Sequence, residues 1–183
     1  MANAERLKHL LSDVSQITRM DDAPESIAKE PLDLTEIISE TVSDCEPLAI
    51  KHKIAIANEI MRPLPIQGNR PLLFSIFRNL IDNAIAYSGG TRIKLQLLNN
   101  GPGKTVISVS DNGSGVPPEH LPHLFERFYR IDTGRSRAAG GTGLGLSIVK
   151  NAVSLHNGTI TVDNQISGGL SFTITFRKQD HTK

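Results

Sequence analysis

Residues 69–98 read NRPLLFSIFRNLIDNAIAYSGGTRIKLQLL. One helix and one strand lie in this stretch. Leu73, Ile76, Phe77, Leu80, Ala84 and Ile85 recur at the three- and four-residue spacing of a single helix face. Asn69 opens the helix, with Pro71 in its first turn, and Gly89-Gly90 stops it just beyond Tyr87. From Thr91 to Leu98 the apolar residues alternate instead, the period of a strand.

Upstream, a helix begins near Asp33, an N-cap with Glu36 at the capping-box position. Its stripe is Leu34, Ile37, Ile38, Val42, Cys45 and Leu48, and Pro47 inside it predicts a kink. Lys53–Ile60 alternates as a strand, and Pro63 and Pro65 flank a short connection. Further upstream, Leu7, Leu10, Leu11, Val14 and Ile17 mark another helix, ended by Asp21-Asp22-Ala23-Pro24. One such helix has no core of its own. Its stripe must pack on the rest of the chain or on a second copy.

Downstream, Thr105–Ser110 is a second strand, reached through Asn99-Asn100-Gly101-Pro102-Gly103. An irregular segment runs from Asp111 to Gly143. A fourth helix follows, from about Leu144 to His156, ended by Asn157-Gly158. Thr159–Asp163 and Leu170–Phe176 form a closing hairpin. There is no internal repeat. This order predicts an α/β fold with a helix layer on one face of a mixed sheet, rather than a doubly wound one.

Composition narrows the function. With 38% hydrophobic residues among 183, the chain can build a core and is not a disordered chain. Twenty basic against 19 acidic residues leave a formal charge of +1, without the excess that a nucleic-acid binder carries. Aromatics are 4% and Trp is absent, which argues against base stacking. One cysteine, Cys45, excludes an internal disulfide framework and a Cys-based zinc cluster. No apolar run reaches the roughly 18 residues of a membrane span, and MANAERLKHLL is too polar for a signal peptide. The sequence reads as a soluble intracellular chain.

Several motifs fail on inspection. Gly103-Lys104-Thr105 has the tail of a P-loop, but Leu98 stands where the first glycine belongs. His120 and His123 flank Pro122 with no third metal ligand nearby. No Ser or Cys stands in a nucleophile setting.

Three groups carry chemistry. Asn79 and Asn83 are one helical turn apart, so both amides project from one face. Asn costs a helix about 0.5 kcal/mol or more relative to Ala, so two in line need a reason. A neutral amide oxygen suits Mg²⁺ when phosphates bring the negative charge; two solvated polar residues are the plain alternative. Asp111 ends a strand and is followed by Asn112-Gly113-Ser114-Gly115. Its carboxylate can accept from the amino group of adenine and would reject the carbonyl of guanine; the plain alternative is an Asp-Asn-Gly turn. Gly141-Thr142-Gly143-Leu144-Gly145-Leu146 opens the fourth helix, whose N–H groups suit phosphate. Between the last two groups lie Arg127, Arg130, Arg135 and Arg137, with Gly134 and Ala138-Ala139. This composition predicts a mobile, phosphate-seeking lid over Pro117–Gly140.

In this order and spacing the chain resembles the ATP-binding catalytic domain of sensor histidine kinases, in the GHKL ATPase superfamily. Asn79–Ser88 is similar to the N box, Asp111–Gly115 to the G1 box, Leu124–Arg130 to the F box and Gly141–Leu146 to the G2 box. The resemblance covers roughly Leu32 to Phe176. It implies a two-layer α/β sandwich of about three helices on a mixed five-stranded sheet. It further implies that Asn83 holds Mg²⁺, that Asn79 sits beside the phosphates and that Asp111, with Gly113 and Gly115, reads adenine. Tyr87 borders the nucleotide, and Arg130 meets the γ-phosphate. Gly141, Thr142, Gly143, Leu144, Gly145 and Leu146 line the phosphate side. The implied reaction transfers the ATP γ-phosphoryl group to a histidine for two-component signalling, with Asn79 and Arg130 at the chemistry.

Two departures matter. Ala86 stands where the family often has Lys or Arg, so a phosphate contact is lost or is supplied by Arg78 or a lid arginine. None of the six histidines has the acidic and proline neighbours of the family's acceptor. Residues 1–22 resemble the end of a dimerisation and phosphoacceptor helix instead. The implied organisation is that helix, a linker at 23–31, the catalytic domain at 32–178 and a tail at 179–183. The implied partners are the dimerisation domain of the same kinase and a response regulator. The full-length protein would be a homodimer and this piece a monomer or weak dimer, with no nucleic acid. The implied setting is the cytoplasmic part of an inner-membrane-anchored kinase. Rival readings are a nucleotide-sensing pseudokinase and another GHKL ATPase. The second is disfavoured because hydrolytic relatives carry Glu where this chain has Asn79.

Overall fold

A computed structural model describes residues 2–131 and 142–178. Helix α1 (Ala2–Asp22) leads, and a one-turn 3₁₀ segment at Pro24–Ser26 follows. Then come β1 (Glu30–Asp33), α2 (Leu34–Lys51), β2 (Ala55–Asn58), β3 (Pro65–Gly68), α3 (Arg70–Tyr87), β4 (Arg92–Gly101) and β5 (Lys104–Asp111). A 3₁₀ segment at Pro118–His123 precedes α4 (Gly145–Leu155), and β6 (Gly158–Asn164) and β7 (Leu170–Arg177) close the fold.

The main sheet has the order β2-β4-β5-β7-β6. Its β2–β4 pair is parallel and the others antiparallel, so the sheet is mixed as expected. Alternation decides which face is covered. Ile93 and Leu95 on β4, Ile107 and Val109 on β5, and Phe172, Ile174 and Phe176 on β7 are all buried. Between them stand polar or partly exposed residues such as Lys94, Ser110 and Thr173. Helices α2, α3 and α4 supply the opposing layer with Ile37, Ile38, Leu73, Ile76, Phe77, Leu80, Ile81, Ile148 and Val149. At about 25 cal/mol per Å² of apolar surface, this layer contact is the main stabilising term.

Local chemistry differs from expectation in two places. Alternation over Lys53–Ile60 condenses to the four residues of β2. The connection flanked by Pro63 and Pro65 contains β3, which pairs antiparallel with β1, so a two-stranded ribbon runs from Glu30–Asp33 to Pro65–Gly68. Such a short ribbon, with a proline in each strand, carries no alternation that a sequence reading can detect. Helix α2 continues through Pro47. The Asp33 cap is also more than local. Its Oδ1 accepts from Thr35 N at 2.9 Å and from Leu64 N at 3.0 Å, which ties the start of α2 to the residue before β3. These N–H donors hold the Asp33 carboxyl below the ordinary range despite the opposing cost of desolvation.

Candidate functional site

The site is built along one side of α3. Asn79 and Asn83 are half-buried on it, and Tyr87 is 46% exposed at its C-terminal end. Asn79 donates through Nδ2 to the Ser75 carbonyl at 2.8 Å and to Ser75 Oγ at 3.1 Å. Its Oδ1 is thereby turned toward α4, where a Cβ on Gly145 would approach it to 2.6 Å. Only glycine allows α4 to start this close to α3. Asn83 makes no side-chain hydrogen bond among the described residues. Its amide is available to a ligand, a fit for the metal position that the sequence implies.

The second wall comes from the loop after β5. Asp111 is 7% exposed at the end of that strand. Its Oδ1 accepts from Gly113 N at 2.9 Å and its Oδ2 from Leu170 N at 3.4 Å. Burial pushes its carboxyl above the ordinary range, while the two backbone donors oppose the shift. The loop is fastened to the end of α3: Ser114 N donates to the Ser88 carbonyl at 3.1 Å. A Cβ on Gly113 would meet the same carbonyl at 2.0 Å. Asn112 Oδ1 accepts from Thr91 N and Arg92 N. A Cβ on Gly115 would meet Asn164 Oδ1 at 2.4 Å, so both glycines let this loop pack closely against its neighbours.

The third wall is the start of α4. Gly143 has φ +74°, and a Cβ there would lie 3.0 Å from Phe128 Cα. Phe128 N donates to the Gly143 carbonyl at 2.8 Å, joining the segment before the arginine-rich loop to the residues after it. Thr142 is half-buried, Leu144 is buried and Leu146 packs against the core. Gly141 and positions 132–140 of the expected lid, Arg135 and Arg137 among them, lie outside the described residues. Arg130 is half-buried just before them.

Arg78 does not replace the basic residue absent at Ala86. Its Nη1 donates to Asp44 at 2.6 Å and its Nε to Asp82 at 2.8 Å, so the guanidinium is committed to bracing α2 against α3. Among the described residues no group of three or more His, Cys, Asp or Glu side chains gathers around His120 and His123. His120 Nδ1 instead lies 2.7 Å from Tyr129 Oη, and His123 Nδ1 lies 2.7 Å from Glu126.

Some residues that shape the site had no signal in the sequence. Asn164 accepts from Val116 N at 3.0 Å and donates to the Val116 carbonyl at 2.7 Å. Gln165 donates to the Asp111 carbonyl at 2.7 Å. Both act 48 or more positions from their own place in the chain, where no local pattern reaches. Asp13 and Asp21 of α1 also reach the site's edge. Thr142 Oγ1 donates to Asp13 at 2.9 Å, and Arg127 donates to Asp21 at 2.5 Å.

A buried carboxylate at one end, paired amides in the middle and a glycine-led helix start at the other define a nucleotide-binding domain of the two-layer ATPase type. Residues 68–180 match the family described as "Histidine kinase-, DNA gyrase B-, and HSP90-like ATPase", and the chain belongs to it. It is similar to sensor-like histidine kinase SenX3 of Mycolicibacterium smegmatis, at 35% identity over 96% of this chain and 46% of that protein. It is also similar to the probable sensor histidine kinase TcrY of Mycobacterium tuberculosis, at 37% identity over 89% of this chain and 34% of that one. The solved structure of full-length ShkA with AMPPNP matches with a TM-score of 0.80 at 27% identity, over 93% of this chain and 35% of that one. The chain therefore spans less than half the length of these curated relatives. It is the ATP-binding catalytic domain of a sensor histidine kinase type. No helix among the described residues is long and apolar enough to cross a membrane.

Proposed function

We propose that this chain binds ATP beside α3 and transfers its γ-phosphoryl group to a histidine on a dimerisation domain of the same kinase. The supporting observation is the seating of both flanking loops on α3: Gly113 against Ser88 and Gly145 against Asn79. Asn79 to Tyr87 spans eight residues, about 12 Å of helix axis at 1.5 Å per residue. Adenine then lies at Asp111, whose buried carboxylate accepts from the amino group. The phosphates lie toward Asn79, Asn83 and the start of α4, with Thr142, Gly143 and Gly145 at their edge and Arg130 as the γ-phosphate cation.

Phosphoryl transfer is largely a matter of positioning and charge neutralisation. A neutral imidazole attacks through its ring lone pair. The N–P bond forms as the bond to the ADP oxygen breaks, and the resulting phosphoimidazolium then releases the proton of its other ring nitrogen to solvent. No general base is needed for the attack itself. A water nucleophile would need one, and the amide of Asn79 cannot serve. Mg²⁺ held by Asn83 would neutralise the phosphates. In the longer protein the partners are the dimerisation domain and a response regulator, and the setting is the cytoplasmic side of a membrane-anchored kinase.

The test incubates this chain with γ-labelled ATP and a separately made acceptor domain. Acid-labile, base-stable label is expected on the acceptor and not on this chain. Nucleotide binding without transfer would make the chain a nucleotide-sensing module. Asn83→Ala should weaken binding of Mg·ATP far more than binding of metal-free ATP. Equal losses would assign Asn83 to packing.

A further inference from the structure

Helix α1 presents a polar and apolar face to the catalytic layer. Asp13, Ile17, Met20 and Asp21 share that face, with Ile17 and Met20 buried. The two carboxylates are eight residues apart, about 12 Å along the helix. Asp13 Oδ2 accepts from Thr142 Oγ1 at 2.9 Å. The same hydroxyl oxygen accepts from Leu144 N at 3.2 Å, just before the first turn of α4. Asp21 Oδ2 accepts from Arg127 Nη2 at 2.5 Å, and Asp21 Oδ1 accepts from Asn151 Nδ2 of α4 at 3.2 Å.

These partners are the groups that a phosphate anion uses: an N–H at a helix start, a hydroxyl and a guanidinium. The α1 carboxylates hold two of them, Asp13 the Thr142 hydroxyl and Asp21 the Arg127 guanidinium. Asp13 also places negative charge near the start of α4, where a polyphosphate carries several more. A half-open cleft of about 200 Å³ runs beside the contact, lined by Val14, Ile17, Asp21, Arg127, Phe128 and Leu144. The Asp21–Arg127 pair is partly exposed, and such pairs hold weakly.

From this we infer that α1, through Asp13 and Asp21, is an anionic stand-in that competes with the triphosphate at the edge of the site. Docking of α1 lowers ATP affinity, and ATP in turn loosens α1, because coupling between two binding events is reciprocal. Asp13 and Asp21 are thus regulatory residues, and the inference rests on the ATP-site reading above.

Calorimetry on the whole chain at low salt tests it, comparing the wild type with Asp21→Asn and Asp13→Asn. Each variant keeps the side-chain shape and removes one charge on a surface helix. ATP affinity is expected to rise roughly threefold to tenfold, and to lose that gain at about 0.5 M salt. Adenosine, which lacks phosphates, should bind all three proteins equally. ATP added to the wild type should speed amide exchange in residues 10–22. Unchanged or lower ATP affinity in both variants overturns the inference, as does an equal rise for adenosine. Failure of all three proteins to bind ATP refutes the ATP-site reading instead.

Discussion

In the proposed function the base is read by one buried carboxylate, that of Asp111. Asp111→Asn keeps the size and replaces an acceptor with an amide. ATP affinity should fall at least tenfold, about 1.4 kcal/mol, by calorimetry. GTP should bind the wild type much more weakly than ATP does. Burial raises the carboxyl of Asp111, so its protonation on acidification begins above the ordinary carboxylate range. ATP affinity should therefore start to fall at a higher pH than an exposed Asp would allow. Gly145 offers a steric test of the opposite wall. In Gly145→Ala the new methyl meets Asn79 Oδ1, which Ser75 holds in place. Urea denaturation should show a loss of about 1–3 kcal/mol, and Asn79→Ala in the same chain should recover most of it. Additive losses would mean that the two residues do not touch in solution.

The ends of elements are joined by buried polar groups, with His156 at the C-terminus of α4 as the clearest case. It is 4% exposed. Nδ1 lies 2.6 Å from the Ala152 carbonyl, and Nε2 accepts from Asn69 N at 2.9 Å, the N-cap of α3. One ring thus fixes the start of α3 relative to the end of α4, and so the spacing of Asn79 and Gly145. Desolvation lowers its pKa, with the Ala152 carbonyl opposing. In the unfolded chain the ring protonates near its ordinary pKa of about 6.5, whereas the folded chain resists. The unfolded state then binds more protons, so stability falls as pH drops below about 6.5. Denaturation at pH 7.5 and at pH 5.5 should show this slope in the wild type. His156→Gln should flatten it and cost about 1–3 kcal/mol at pH 7.5, since the Asn69 N–H loses its acceptor.

At the scale of the molecule, α1 is the element least committed to the sandwich. Leu7, Leu11 and Val14 are 58%, 63% and 46% exposed, a stripe at helical spacing with no cover among the described residues. Among the described residues of this helix only Ile17 and Met20 are buried, and a half-covered stripe supports weak self-association at most. Sedimentation should find a monomer in equilibrium with a weak dimer, and Leu11→Glu should abolish the dimer without altering ATP binding. A tight dimer insensitive to that change would place the interface on another surface.

The helices, the strands and the four motifs were legible because each is local: helical spacing on α3, alternation on β4 and β5, glycine and asparagine at the stops. Asp111, Asn79, Asn83 and Gly145 stood out for the same reason, since each occupies a position its own neighbours make improbable. The β1–β3 ribbon was not legible, because four-residue strands with prolines carry no period. Nor were Asn164 and Gln165 as braces of the Asp111 loop, or Asp13 and Asp21 as partners of Thr142 and Arg127. Nor was the pairing of Arg78, one candidate for the phosphate contact missing at Ala86, with Asp44 and Asp82. The sequence by itself determined the class of fold and marked the candidate residues of the nucleotide site, through short-range periodicity and backbone preference. Only the tertiary structure decided which charges neutralise one another, because an ion pair depends on separation in space and the chain records only separation along itself.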